Sequence, residues 1–137
     1  MKNKEDDLQT AVVTYLKLEY KALFCASLGG AYQKHHSQRL KAKRTGYIAG
    51  FPDLFIYEPR GVYHGLALEL KTLKGTPYKG NGHYKKLYDV GGKRYNQTEW
   101  LEGLRLRGYH ALFVVGFDNT KNVIDKYFSL NEGESFS

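Results

Sequence analysis

Two short apolar runs joined by a glycine-bounded turn constrain this chain more than any other feature. The first, residues 54–57 within GFPDLFIYEP, stops at Pro59, and the second, residues 66–72, follows a turn bounded by Gly61 and Gly65. Runs this short between Pro and Gly read as two strands of a hairpin. Side chains of a strand point alternately to opposite faces. Leu66, Leu68 and Leu70 therefore share one face, and Ala67, Glu69 and Lys71 share the other.

The flanking segments supply what such a hairpin packs against. Leu8, Val12, Leu16 and Tyr20 recur at four-residue steps, one face of an amphipathic helix. Glu5, three residues before Leu8 and seven before Val12, comes off that same face at the helix start, while Asp6 and Asp7 suit the positive end of the helix dipole. Residues 22–27 suggest a short strand closed by Gly29 and Gly30, and the basic stretch after it lacks a clear period, reading as loop or irregular helix. Residues 73–95 hold six Gly or Pro among many Lys and Tyr, the composition of an exposed loop. Asn96 followed by Glu99 has capping-box character and introduces a helix with Trp100, Leu101 and Leu104 apolar, ended by Gly108. Residues 109–116 form a nearly unbroken apolar run, which predicts a central strand, and Val123, Ile124, Tyr127 and Phe128 suggest a last short helix. The order helix, three strands, helix, strand, helix is economically housed in an α/β architecture, a mixed sheet with helices on its faces.

At 137 residues the chain has material for one domain with a real core, and no repeat or linker divides it. No apolar run approaches the roughly 18 residues of a membrane span, and no secretory leader opens the sequence. Cys25 is the only cysteine, so no internal disulfide forms, and an intracellular, cytoplasmic location is expected.

The net charge of +7 concerns partners rather than fold. Residues 33–47 carry Lys34, Arg39, Lys41, Lys43 and Arg44 with no acid. Residues 71–94 set Lys71, Lys74, Lys79, Lys85, Lys86, Lys93 and Arg94 against Asp89 alone, interleaved with Tyr78, Tyr84 and Tyr88. Basic side chains neutralise phosphates and aromatic rings stack on unpaired bases, so the two segments outline a nucleic-acid footprint. Two solvated basic loops are the plainer alternative.

Asp53 stands at the mouth of the first hairpin strand, and the end of the second strand, with Glu69 and Lys71, returns beside it. Two converging carboxylates repel each other unless a cation compensates them. Mg²⁺ suits such a pair, with the backbone carbonyl of Leu70 as a further oxygen ligand, and Lys71 is placed to orient a water or to stabilise charge on a pentavalent phosphorus. This points to metal-dependent cleavage of a nucleic-acid backbone. Taken singly, Asp53 is also a common turn residue, and Glu69 with Lys71 a common solvated strand face. Gln97, one turn before Leu101, comes off a buried helix face at its N-terminal end, or is simply an N1 residue bonded to the cap. The five histidines show no metal-ligand spacing, His110 reads as a strand residue, and neither GxxxxGK[ST] nor GxGxxG is present, which leaves a nucleotide cofactor without support.

Pro52-Asp53 followed by Glu69-Leu70-Lys71 resembles the PD-(D/E)XK nuclease superfamily. With Glu5 four residues before Gln9, the GFPDL segment, the GLALELK strand and Gln97 opening a helix, the chain resembles the VRR-NUC (virus-type replication-repair nuclease) branch, from Glu5 to about Val115. The resemblance implies a restriction-endonuclease-like αβββαβ core over residues 1–137, with the basic Tyr/Gly-rich loop at about 72–96 as an insertion that contacts DNA or a second subunit. It implies that Asp53 and Glu69 bind Mg²⁺ or Mn²⁺, that Lys71 is catalytic, that Glu5 adds an acid and that Gln97 positions the metal site or substrate. It further implies DNA as substrate, branched forms such as four-way junctions, and a homodimer. A non-catalytic nucleic-acid-binding module on a degenerate nuclease fold is the competing expectation.

Overall fold

The computed structural model of the chain describes residues 4–27, 36–48, 50–73 and 97–137. Along the chain run α1 (Lys4–Glu19), β1 (Phe24–Ala26), α2 (His36–Arg44), β2 (Leu54–Ile56), β3 (Leu66–Lys71), α3 (Gln97–Leu106), β4 (His110–Val115) and α4 (Phe117–Ser129). The four strands form one mixed sheet in the order β1-β2-β3-β4. Antiparallel pairing joins β1 to β2 and β2 to β3, whereas β4 runs parallel to β3 after crossing over through α3.

The expected alternation in β3 divides the core in two. Leu66, Leu68 and Leu70 pack with Leu54 and Ile56 against Val12 and Leu16 of α1 and Ile124 and Tyr127 of α4. Ala67 joins Phe55, Ala111 and Phe113 under Leu101 of α3 on the opposite face. Both faces of the central strands are thus covered, and every residue of β3 is buried. Gly65 lets the hairpin close, because a Cβ there would stand 2.7 Å from the Ile56 carbonyl oxygen. Gly108 ends α3 with φ +92, where a larger residue is strained.

Three expectations need correction. Strand β4 lies at one end of the described sheet rather than in its centre. Its unbroken apolar run reflects helices on both faces, with Ala111 and Phe113 toward α3 and Val114 toward the α1/α4 layer. On its outer edge, Arg105 Nε donates to the Ala111 carbonyl at 2.6 Å and Asn119 Nδ2 to that of Val115 at 2.8 Å. Second, the basic stretch after β1 contains a regular nine-residue helix, α2. Third, the last helix begins at Phe117 and is longer than expected, because buried Thr120 continues its inner face by donating its hydroxyl to the Gly116 carbonyl at 2.7 Å. Asn96, the expected cap of α3, lies outside the described residues.

Helices α1 and α4 are tied together by a polar cluster. Asp125 accepts the hydroxyls of Tyr15 and Tyr20, the latter at 2.7 Å, and the Lys121 ammonium at 2.9 Å. Burial alone would raise the Asp125 pKa, but these bonds outweigh it and hold the carboxyl below the usual range. A depressed carboxyl contributes stability above the unfolded pKa and loses it as pH falls through the folded one. Discounted for solvent screening of this partly exposed group, Asp125→Ala is expected to cost about 0.5–1 kcal/mol at pH 7 and progressively less below about pH 4, as followed by urea denaturation.

Candidate active site

Asp53 follows buried Pro52 and immediately precedes β2. Extending the β2–β3 register by one step from the Leu54–Leu68 pair sets Asp53 across from Glu69. At that step β2 has not begun, so the Leu70 backbone N–H finds Asp53 Oδ2 instead of a strand partner, at 2.8 Å. The N–H and C=O of a strand residue point to the same side, which turns the Leu70 carbonyl toward Asp53 as well. From the neighbouring strand, the Ser27 N–H holds the Asp53 backbone carbonyl at 2.7 Å.

Glu69 and Lys71 come off the α3 face of β3, at the strand end where α3 begins. Gln97, the first residue of α3, bridges them: its Nε2 donates to Glu69 Oε1 at 2.6 Å, and its Oε1 accepts from Lys71 Nζ at 2.9 Å. The Lys71 ammonium stands 5.9 Å from the centroid of the Phe113 ring. Glu69 is 3% exposed and Lys71 9%, so both charges belong to the protein interior. Asp53 is only partly buried and forms the more open side of the group.

This placement carries an electrostatic cost. Burial first, and then the charge of Asp53, push the Glu69 carboxyl up to about 10, against the opposing pull of Lys71. Burial also raises Asp53, although hydrogen bonding with Glu69 and Leu70 and the Lys71 charge oppose it. Glu69 Oε2 is buried and meets no donor among the described residues, and the two carboxyls can hydrogen-bond each other only through a shared proton. Asp53 and Glu69 thus form a pair that is one positive charge short.

Glu5 lies in the first turn of α1 and is exposed, a turn or more beyond the core positions Val12 and Leu16 of that helix. It stands at the solvent end of the face expected for it, and its charge still raises both Asp53 and Glu69. One further residue lies within electrostatic range of the pair. Tyr47, between α2 and β2, is half-buried, and its phenol is raised by burial and then by the charges of Glu69 and Asp53.

Among solved structures, one described as "VRR_NUC domain protein" aligns with this chain at a TM-score of 0.67 and 30% sequence identity, covering 100% of this chain and 99% of that one. The chain belongs to the VRR-NUC family. No family model and no curated protein matches it.

The VRR-NUC assignment makes this a nuclease-type domain on the expected mixed α/β sheet. Of the residues expected to form the site, Asp53, Glu69, Lys71 and Gln97 come together as described, and the charge of the exposed Glu5 acts on the two carboxyls. Among the described residues no three His, Cys, Asp or Glu side chains meet in an arrangement that alone holds a metal ion. The donor set available to a cation is therefore the Asp53/Glu69 pair plus backbone oxygen. Of the basic residues, Arg39, Lys41, Lys43 and Arg44 lie on α2, with Lys41 and Arg44 exposed. Lys34, Lys74, Lys79, Lys85, Lys86, Lys93 and Arg94 fall outside the described residues, as does most of the 72–96 segment. His110 does begin β4, its ring stacked 4.0 Å from Phe136; burial and the charges of Arg105 and Lys126 push it down to about 4. No helix among the described residues is long and apolar enough to cross a membrane.

Sequence reasoning missed Tyr47. Its only signal was an aromatic residue six positions before Asp53 in a segment too short to travel far.

Proposed function

We propose that this VRR-NUC domain is a metal-dependent DNA endonuclease that hydrolyses phosphodiester bonds, with branched DNA such as four-way junctions as its preferred substrate. The observation that carries the reading is the buried Glu69 carboxyl beside Asp53, with Oε2 lacking a donor among the described residues and the Lys71 ammonium joined to Glu69 through Gln97. A structural role alone does not account for two carboxyls kept in a space that favours neither charge. A divalent cation does, and the oxygen-only donors suit Mg²⁺ or Mn²⁺.

Asp53, Glu69 and the Leu70 carbonyl would hold that ion, with Glu5 adding negative charge from the α1 terminus. When bound, it supplies Lewis acidity toward a phosphoryl oxygen and lowers the pKa of a water. Lys71 orients the attacking water and stabilises the negative charge that grows on the phosphoryl oxygens, and its burial strengthens that interaction. Gln97 keeps the Lys71 ammonium and the Glu69 carboxylate in fixed relation, so neither has to reorganise during the reaction. Lys41 and Arg44 on α2, with the basic residues of the 72–96 segment, bind the flanking phosphates. The domain occupies residues 1–137, acts inside the cell, uses no nucleotide cofactor, and works as a homodimer, which light scattering at assay concentrations tests.

As a non-catalytic binding module the chain would gain nothing from these acids, since uncompensated carboxylates weaken phosphate binding. The test is incubation of the protein with end-labelled four-way junction, nicked duplex and linear duplex, each with Mg²⁺ or with EDTA. Products are expected only with Mg²⁺ and first from the junction. No product from any substrate with Mg²⁺ overturns the reading, and equal cleavage of the linear duplex overturns the preference for branches.

A further inference from the structure

Helix α3 packs on β3 and β4. A helix about 10 Å across covers only about two strands spaced roughly 4.8 Å apart, so the same face of the sheet continues past it toward the β1 end, which the described helices leave largely open. There the fold leaves a groove of about 390 Å³. Its floor includes Cys25 and Tyr57, one wall is the segment after α2 with Tyr47, Ile48 and Phe51, and Trp100 of α3 closes the end. Half of the lining residues are aromatic, with Tyr57 46% and Ile48 42% exposed.

Its surroundings indicate what fits. Ser27, whose N–H holds the Asp53 backbone carbonyl at 2.7 Å, and Phe51, two residues before Asp53, both line the groove, so it opens beside the carboxyl pair. Helix α2, which contains no acid and presents Lys41 and Arg44 to solvent, ends just before that wall. A planar apolar group attached to an anionic backbone satisfies both requirements at once. Aromatic rings stack on bases with little regard to sequence, while basic side chains follow the phosphates.

We propose that this groove receives one unstacked nucleobase of the DNA strand whose phosphate lies at the Asp53/Glu69 pair. The domain then reads bases that are unpaired or readily unstacked, which flaps, gaps and the branch points of junctions offer and the interior of an intact duplex does not. This rests on the nuclease reading, and it names the feature of the substrate that the site selects.

Trp100 is the only tryptophan in the chain and lies in the groove, so its fluorescence reports occupancy directly. Three duplexes are titrated into the protein in EDTA: one with a single bulged thymine, one with an abasic bulge of equal phosphate count, and one fully paired. The bulged base is expected to quench Trp100 and to bind roughly tenfold more tightly than its abasic twin. Tyr57→Ala and Ile48→Asp, both at exposed positions, are each expected to erase that difference with circular dichroism unchanged. Equal affinity and equal emission for the bulged and abasic duplexes overturn the proposal. Should wild-type protein with Mg²⁺ cleave both bulges equally fast, the groove alone is refuted. Should it cleave nothing, the nuclease reading fails, while the binding comparison still decides the groove.

Discussion

Lys71→Ala is expected to lower Mg²⁺-dependent cleavage by about 10²–10³-fold while changing DNA affinity by less than about threefold. Lys71 is 9% exposed and its ammonium donates to Gln97, so it is not available to grip the DNA backbone like the exposed α2 lysine. Its effect falls on charge that exists only in the transition state, and such a loss appears in the chemical step rather than in binding. Lys71→Arg is not expected to restore the rate, because the planar guanidinium is larger and cannot take the place of a compact ammonium between Gln97 and the Phe113 ring. Single-turnover cleavage alongside a filter-binding isotherm separates the two quantities. Undiminished cleavage by the Ala variant would remove Lys71 from the reaction.

Glu69→Gln should have two opposite effects, the loss of cleavage and a gain in the stability of the metal-free protein by about 1–3 kcal/mol at pH 8. The amide keeps the acceptor for Gln97 Nε2 and brings a donor toward Asp53, as a shared proton would, without a charge to bury. In the wild-type protein Glu69 is pushed up to about 10 from a carboxyl's usual 4.5, and Asp53 is raised as well. The folded state therefore retains protons that the unfolded chain releases. Stability is fully present below about pH 4.5 and declines as pH rises toward 10, since the unfolded state binds fewer protons across that window. Thermal melts in EDTA should show this decline in wild type and a much flatter profile in Glu69→Gln. Added Mg²⁺ should raise the melting temperature of the wild type only. Parallel pH profiles for the two proteins would mean that Glu69 is not the strained group.

Much of this arrangement was legible because a strand has a period of two. Once residues 66–71 are read as a strand, Leu70 faces the core and Glu69 and Lys71 share the other face, and a hairpin brings Asp53 alongside. Gln97 was legible for a similar reason, as the first polar position on an inward helix face. The sequence was silent where packing rather than periodicity decides. Helix α2 is built from good helix formers such as Gln38, Arg39, Leu40, Lys41 and Ala42, yet Leu40 itself is exposed and none of the helix's described side chains is buried. The apolar run in β4 records two covered faces and says nothing of how many strands flank it. For Glu5, helical phase gave the direction of the side chain but not how far the first turn overshoots the core. Tyr47 comes within electrostatic range of the carboxyls through a chain path that no periodic rule describes.

The most direct test of the Asp53/Glu69 pair as a divalent-cation site is a Mn²⁺ titration of the DNA-free protein followed by electron paramagnetic resonance. Wild type should bind Mn²⁺ with an affinity that Mg²⁺ competes away, and that binding should be lost in Asp53→Asn and in Glu69→Gln. Mn²⁺ bound equally well by all three proteins would place the ion elsewhere and contradict the site.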